Sequence, residues 1–241
     1  MRRITFNELV KEAAYRMGGA PDLSDLSGVF GTQVLPQLVT YLSDGYDRAW
    51  TAFPWPETLH KEEVETTGEA IIPWENVDQA EWASAWLDDP DRVRHPRELG
   101  IRQVPTGLLV VPWARSGEER VVPPTVWLLW RPKAPRFTLE EFDDEATYAK
   151  GALVWDRVSR GDCFEAAVTD PNPDLDDPTQ WLLQPVLRVL RVPTQKFAHA
   201  THLREREKLG ASEVLENEAL SALEDEWMRA SEFEQYHLGR G

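Results

Sequence analysis

Two Glu-x-x-His pairs, Glu57/His60 and Glu234/His237, carry residue types at a spacing that could hold a metal. A dimetal site in a helical bundle uses two such pairs plus two further glutamates, because residues three apart project from one helical face. The context here is wrong for that use. Glu57 follows Pro56 outside the helical pattern, and the motif recurs by chance in a glutamate-rich chain. His199 and His202 share a helix face with Glu205, but no fourth ligand is indicated, and a solvated face accounts for them. The single cysteine, Cys163, stands between Asp162 and Phe164 in a strand-like stretch with no base beside it, the setting of a small buried apolar residue. One cysteine permits neither an intramolecular disulfide nor a cysteine-based metal cluster. The chain has no phosphate-binding glycine loop, no dinucleotide-binding pattern, no His-Glu-x-x-His and no Gly-x-Ser-x-Gly. The sequence therefore predicts no catalytic residue, no metal, no cofactor and no enzymatic activity.

Composition narrows the class further. The 241 residues carry a formal charge of −16, and the surface this implies repels phosphate backbones and anionic lipid. No apolar run approaches the roughly 20 residues of a membrane span, so no membrane partner is expected. The N-terminal stretch turns polar and acidic at once and lacks the apolar region of a secretion signal, which predicts synthesis in the cytoplasm. Eleven tryptophans are the unusual number, and they predict several small cores or interfaces.

The elements that must position these residues follow from local patterns. Residues 5 to 17 read as a helix with a capping box, Thr5 accepting from the third helical amide while Glu8 reaches back, and Gly18-Gly19 stops it. A longer amphipathic helix carries Val34, Leu35, Leu38, Val39, Leu42, Tyr46, Ala49, Trp50 and Phe53, with Pro36 tolerated in its first turn. From about 58 to 138 the period shifts toward two, and Ala70–Ile72, Gly107–Val111 and Thr125–Trp130 read as strands; Trp82 to Trp86 fits either a strand or a helical turn. Residues 139 to 184 form a further β unit. Helix is expected again from Val186 through Leu203, broken at Gly210, and over about 212 to 235 with Leu215, Ala219, Ala222, Leu223, Trp227 and Ala230 on one face. Two helices at each end bury their apolar stripes most simply against each other. The predicted fold is α+β: a helical bundle from residues 1–57 plus 185–241, an inserted antiparallel β domain at 58–138 and a small one at 139–184.

The pattern Tyr148-x-x-Gly151-x-x-Val154-Trp155, then Gly161-x-x-Phe164-x-Ala166, then Pro178-x-x-Trp181, resembles the small chitin- or cellulose-binding modules of chitinases. The resemblance implies a three-stranded sheet whose aromatic residues, here Tyr148, Trp155, Phe164 and Trp181, stack on sugar rings. One departure matters: adjacent aromatics usually precede the threonine, where this chain has Ala166-Ala167-Val168-Thr169. Without that platform Trp155, Phe164 and Trp181 read as the core of a small domain rather than as a sugar site.

The ends carry a second resemblance. The Phe6–Val10 helix closing at Met17-Gly18, then Tyr41-Leu42-Ser43-Asp44-Gly45-Tyr46, Phe53-Pro54-Trp55-Pro56, and a helical pair after Trp181-Leu182-Leu183-Gln184-Pro185 look like the head-to-tail adaptor (connector, or neck) proteins of tailed bacteriophages. In those proteins a chitinase-module-like insertion before the closing helices also occurs. The resemblance implies a structural virion protein of the neck. It would form a homo-oligomeric, dodecameric ring between the portal protein and the next neck or tail completion protein, with double-stranded DNA passing non-specifically through its channel. The same likeness places the C-terminal segment, with Trp227, Phe233, Tyr236, His237 and Leu238, against the portal. The rival expectation is a virion-associated carbohydrate-binding protein that uses residues 139–184.

Overall fold

The computed structural model describes residues 3–18, 23, 26–53, 55, 58–67, 70–74, 82–93, 97–111 and 124–238, with backbone alone for Trp82 and for 230–238. Strand β1 (Arg3–Ile4) leads into helix α1 (Phe6–Arg16). The capping box is formed: the Glu8 amide donates to Thr5 Oγ1 at 3.1 Å, and the Thr5 amide donates to Glu8 Oε2 at 2.9 Å. One π-helical turn (Phe30–Val34) runs into α2 (Leu35–Ala52). Val34, expected on the buried stripe, lies in that wider turn and is exposed, while Tyr41 joins the core instead.

Six strands follow: β2 (His60–Glu65), β3 (Ile71–Pro73), β4 (Trp82–Trp86), β5 (Glu98–Val104), β6 (Gly107–Val111) and β7 (Thr125–Arg131). They pair antiparallel in the order β2-β7-β4-β5-β6-β3. Inward-facing Val64, Ile72, Ala85, Leu99, Leu108, Val110, Val126, Leu128 and Trp130 form the core of this sheet. The alternation on β7 is clean, since Val126, Leu128 and Trp130 are buried while Trp127 and Leu129 are half-buried on the other face. The Trp82–Trp86 stretch, open between strand and helical turn in sequence, is a strand because Ala83↔Trp130 and Ala85↔Leu128 register it beside β7.

A second, three-stranded antiparallel sheet is built from β8 (Leu153–Asp156), β9 (Asp162–Ala166) and β10 (Trp181–Gln184), in the order β10-β9-β8. Strand β11 (Val186–Leu187) then pairs with β1. A 3-10 turn (Arg188–Leu190) leads to α3 (Arg191–Glu205), and α4 (Leu209–Leu238) closes the chain. Val186 and Leu187, read in sequence as the start of a helix, are thus drawn into a strand. Helix begins only at Arg191, and Pro193 sits in the first turn, where its missing N–H is not needed. The break before α4 falls at Glu207 (φ 60°) rather than at Gly210, which lies inside the first turn of α4.

The chain forms two compact units, residues 1–53 with 134–241, and residues 54–133. This differs from the expected division. Residues 139–184 do not stand apart but belong with the helices, and Trp55 falls in the inserted unit rather than the helical one. Within the first unit α3 is flanked by α1, α2 and α4. Gly45 of α2 permits the closest approach: a β-carbon there would lie 2.8 Å from the Thr194 carbonyl oxygen of α3. The buried Tyr46 hydroxyl, one residue on, donates to Pro185 O and accepts from Leu187 N–H, both at 2.9 Å. It thereby ties α2 to the β11 segment. Tyr46→Phe keeps the ring but strands one buried carbonyl and one buried amide, so a loss of about 1–3 kcal/mol is expected in urea denaturation.

Candidate functional site

The four residues expected to stack on sugar are packed inside the protein. Trp155 and Trp181 are almost wholly inaccessible, Phe164 is 4% exposed, and Tyr148 is half-buried. Trp155 donates its indole N–H to Asn7 Oδ1 at 2.9 Å, and the Phe6 ring meets it edge-on at 5.8 Å. Trp181 donates to Asn172 O at 2.7 Å and meets Phe142 and Tyr148 in T-shaped contacts. The rings are core because helix α1 and the 142–148 loop occupy the faces a sugar would need, which corrects the expectation of an exposed platform. Beside this core a depression of about 540 Å³ is lined by Arg3, Thr5, Arg160, Asp162, Phe164 and Trp181, among others. Two of its charged side chains are engaged within the chain: Arg160 forks onto Asp176 at 2.5 and 2.7 Å, and Asp162 accepts from the Phe6 amide. Burial holds the Asp162 carboxyl above the usual carboxylate range.

Cys163 is fully buried, donates to Thr138 O at 3.7 Å, and has its thiol pushed up to about 12 by burial, so it is chemically quiet. Of the two Glu-x-x-His pairs, Glu57 lies outside the described residues, and so do the side chains of Glu234 and His237. His60 is on edge strand β2 with its ring stacked on Trp130 at 4.7 Å. Among the described residues, no three His, Cys, Asp or Glu side chains gather as a metal site requires.

The bundle brings together a group that the sequence presented only as a polar helix face. His199 and His202 of α3 lie half-buried with ring centroids 6.5 Å apart, and His202 sits 6.0 Å from the Tyr41 ring of α2. The Tyr41 hydroxyl donates to Glu205 Oε2, and burial together with this bond raises its pKa to about 12. Arg16 of α1, Arg206 and Lys208 surround the pair. Both imidazoles have lowered pKa values, through burial first and then through Arg16 for His199 and Arg206 for His202. The signal for this cluster was present in the sequence as three basic residues, Arg204, Arg206 and Lys208, around the end of α3. Their meeting with Arg16 was not, since α1 is far away in the chain.

Helix α4 carries the candidate portal-contacting residues. Trp227 is not part of a free tail: its ring stacks on Phe53 at 5.4 Å, nearly parallel. The backbone stays helical through Phe233, Tyr236 and His237 to Leu238, but their side chains lie outside the described residues. Glu216 anchors the helix by accepting from Arg48 at 3.0 Å and Arg204 at 2.7 Å, and Lys196 pairs with Glu218 at 2.8 Å. No helix of the described residues is long and apolar enough to cross a membrane. No protein-family model and no curated protein matches the chain.

The lowered imidazole pKa values have a definite sign. As pH falls, the unfolded chain takes up protons at the ordinary histidine value, about 6.5, before the folded protein does, so stability falls with pH through and below that value. The urea midpoint should drop between about pH 7.5 and 5.5, and His199→Gln with His202→Gln should flatten that drop.

Proposed function

We propose that the chain is a head-to-tail adaptor of a tailed bacteriophage, a structural protein that forms a ring on the portal and connects the capsid to the neck or tail. The observation that carries this reading is the joining of the two ends of the chain. Residues 1–53 and 134–241 make one unit in which N-terminal α1 and α2 pack on C-terminal α3, with the antiparallel sheet of 60–131 inserted between them in the chain. This is the arrangement the adaptor resemblance implies. The 30-residue α4 supports it as well, because it is held at Glu216 by Arg48 and Arg204 and at Trp227 by Phe53, while Phe233, Tyr236 and Leu238 come on its last turns. The acidic balance of −16 suits a channel that lets a duplex slide without gripping it, since carboxylates repel phosphates.

Mass photometry of the chain mixed with the portal ring of its own phage tests the reading. The expected product is the portal carrying twelve added copies. Removing residues 231–241 should abolish that complex while circular dichroism shows the fold retained. Binding by the shortened chain would move the portal contact elsewhere, and no complex with the full chain would overturn the function.

A further inference from the structure

Helices α1 and α4 flank α3, and the surfaces they leave outward differ in chemistry. The inward side of α4 is filled by Ser212, Ala219 and Leu223, and the Ser212 hydroxyl donates to Ala200 O at 2.8 Å. Its outward side exposes Val214, Leu220 and Met228 at 57%, 47% and 55%. Exposed Asn217, Ser221 and Asp225 lie between Val214 and Met228 at three- and four-residue steps, so this face is polar along its middle with an apolar residue at each end. Glu213 and Glu224, both exposed, border this face. Across its length α4 carries eight carboxylates against one arginine, Arg229, and one histidine, His237.

The α1–α3 flank has the opposite sign. From Arg191 to Lys208 there are five basic residues and two acidic ones; Arg191, Lys196 and Arg204 are paired with Glu12, Glu218 and Glu216, so the basic character of this flank rests on exposed Arg206, Lys208 and, from α1, Arg16. Exposed Arg16 and Arg206 stand beside His199 and His202, and neither imidazole makes a hydrogen bond among the described residues. Exposed Tyr15 adds an aromatic surface to the same helix end as Arg16. An acidic helix face with scattered apolar residues thus sits on one flank of the bundle, and a basic, partly aromatic face sits on another.

We propose that the outward face of α4 binds a second copy of this chain, seated on that copy's α1–α3 flank around Arg16, His199, His202 and Arg206. The proposal rests on the ring-forming reading and gives that ring its contact. Because two different patches meet, the contact is heterologous, and each copy has one patch left for the next, which is the condition for a closed ring. The charged groups facing the imidazoles are Arg16 from α1, Glu205 from α3 with Tyr41 of α2 bonded to it, and Arg206 and Lys208 from the turn before α4. All but Glu205 and Tyr41 disfavour protonation in the single chain. Carboxylates of a neighbouring α4 would favour it, so association takes up protons and tightens as pH falls from about 8 to 6. Salt weakens it by screening.

Sedimentation velocity of the full chain tests this. Oligomers should form at about pH 6 and roughly 0.05 M salt, and association should weaken about tenfold or more at roughly 0.5 M salt or at about pH 8. Glu213→Lys with Glu224→Lys should weaken it about tenfold or more, as should Arg16→Glu with Arg206→Glu, and all four changes in one chain should restore it. Circular dichroism reports that each variant is folded. Oligomers indifferent to salt and to both charge reversals would overturn this interface while leaving the ring reading standing. A monomer under every condition would overturn this interface, while the portal-binding measurement decides the ring reading separately.

Discussion

Phe6 and Asn7 hold the first unit together. The Phe6 ring stacks on Phe137 at 4.8 Å and meets Trp155 edge-on, while its amide donates to the buried Asp162 carboxylate. Asn7 donates through its backbone to Gly161 O and through its side chain to Arg157 O, both at 2.8 Å, and accepts from the Trp155 indole. Gly161 has φ +74°, and a β-carbon there would come within 2.8 Å of Asn7 Nδ2, so the β8–β9 turn is shaped to receive this one side chain. With the start of α1 fixed on the small sheet, β1 lies beside β11, and Tyr46 bonds the same stretch from α2. Residues 134–187 and the helices are therefore one folding unit, and the aromatic residues of the small sheet are needed for its core.

Helix α3 is the centre of the bundle, and its surroundings determine what the other helices can offer to partners. On one side Gly45 lets α2 come close enough that Arg48 lies over the Phe197 ring at 4.1 Å. On another, α4 is held by ion pairs and by the Phe53–Trp227 stack. A peripheral helix has two long faces and only one to bury. The outward face of α4 keeps exposed Val214, Leu220 and Met228 among its carboxylates.

The inserted sheet has a different logic. Its edge strand β2 exposes Lys61, Glu62 and Glu63 and buries only Val64, a charge pattern that discourages further strand pairing. Lys61 bonds Asp89 at 2.8 Å and also Asp91, and it lies over the Trp127 ring. The face of β7 that points away from the core is thus partly covered by the long side chain of a neighbouring strand.

Much of the local structure was legible. The Thr5/Glu8 capping box, the α2 stripe and the strands at 107–111 and 125–131 depend on interactions within a few residues or on branched side chains in alternation, and those can be read without knowing the fold. Strands β2 and β5 were not legible, because their residues are mostly polar and their pairing comes from β7, β4 and β6. Val186–Leu187 has helix-compatible residues and became a strand only because Arg3–Ile4 arrives beside it. The roles of Trp155, Phe164 and Trp181 were ambiguous for the same reason: an aromatic residue is a platform or a core according to what covers it. The sequence by itself determined the fold class, the start of α1 and the acidic character of the chain, since these follow from composition and short-range spacing. Only the tertiary structure decided that Asn7 would cap Trp155, 148 residues away, and that Arg16 would meet His199, because contacts between distant segments leave no period in a single chain.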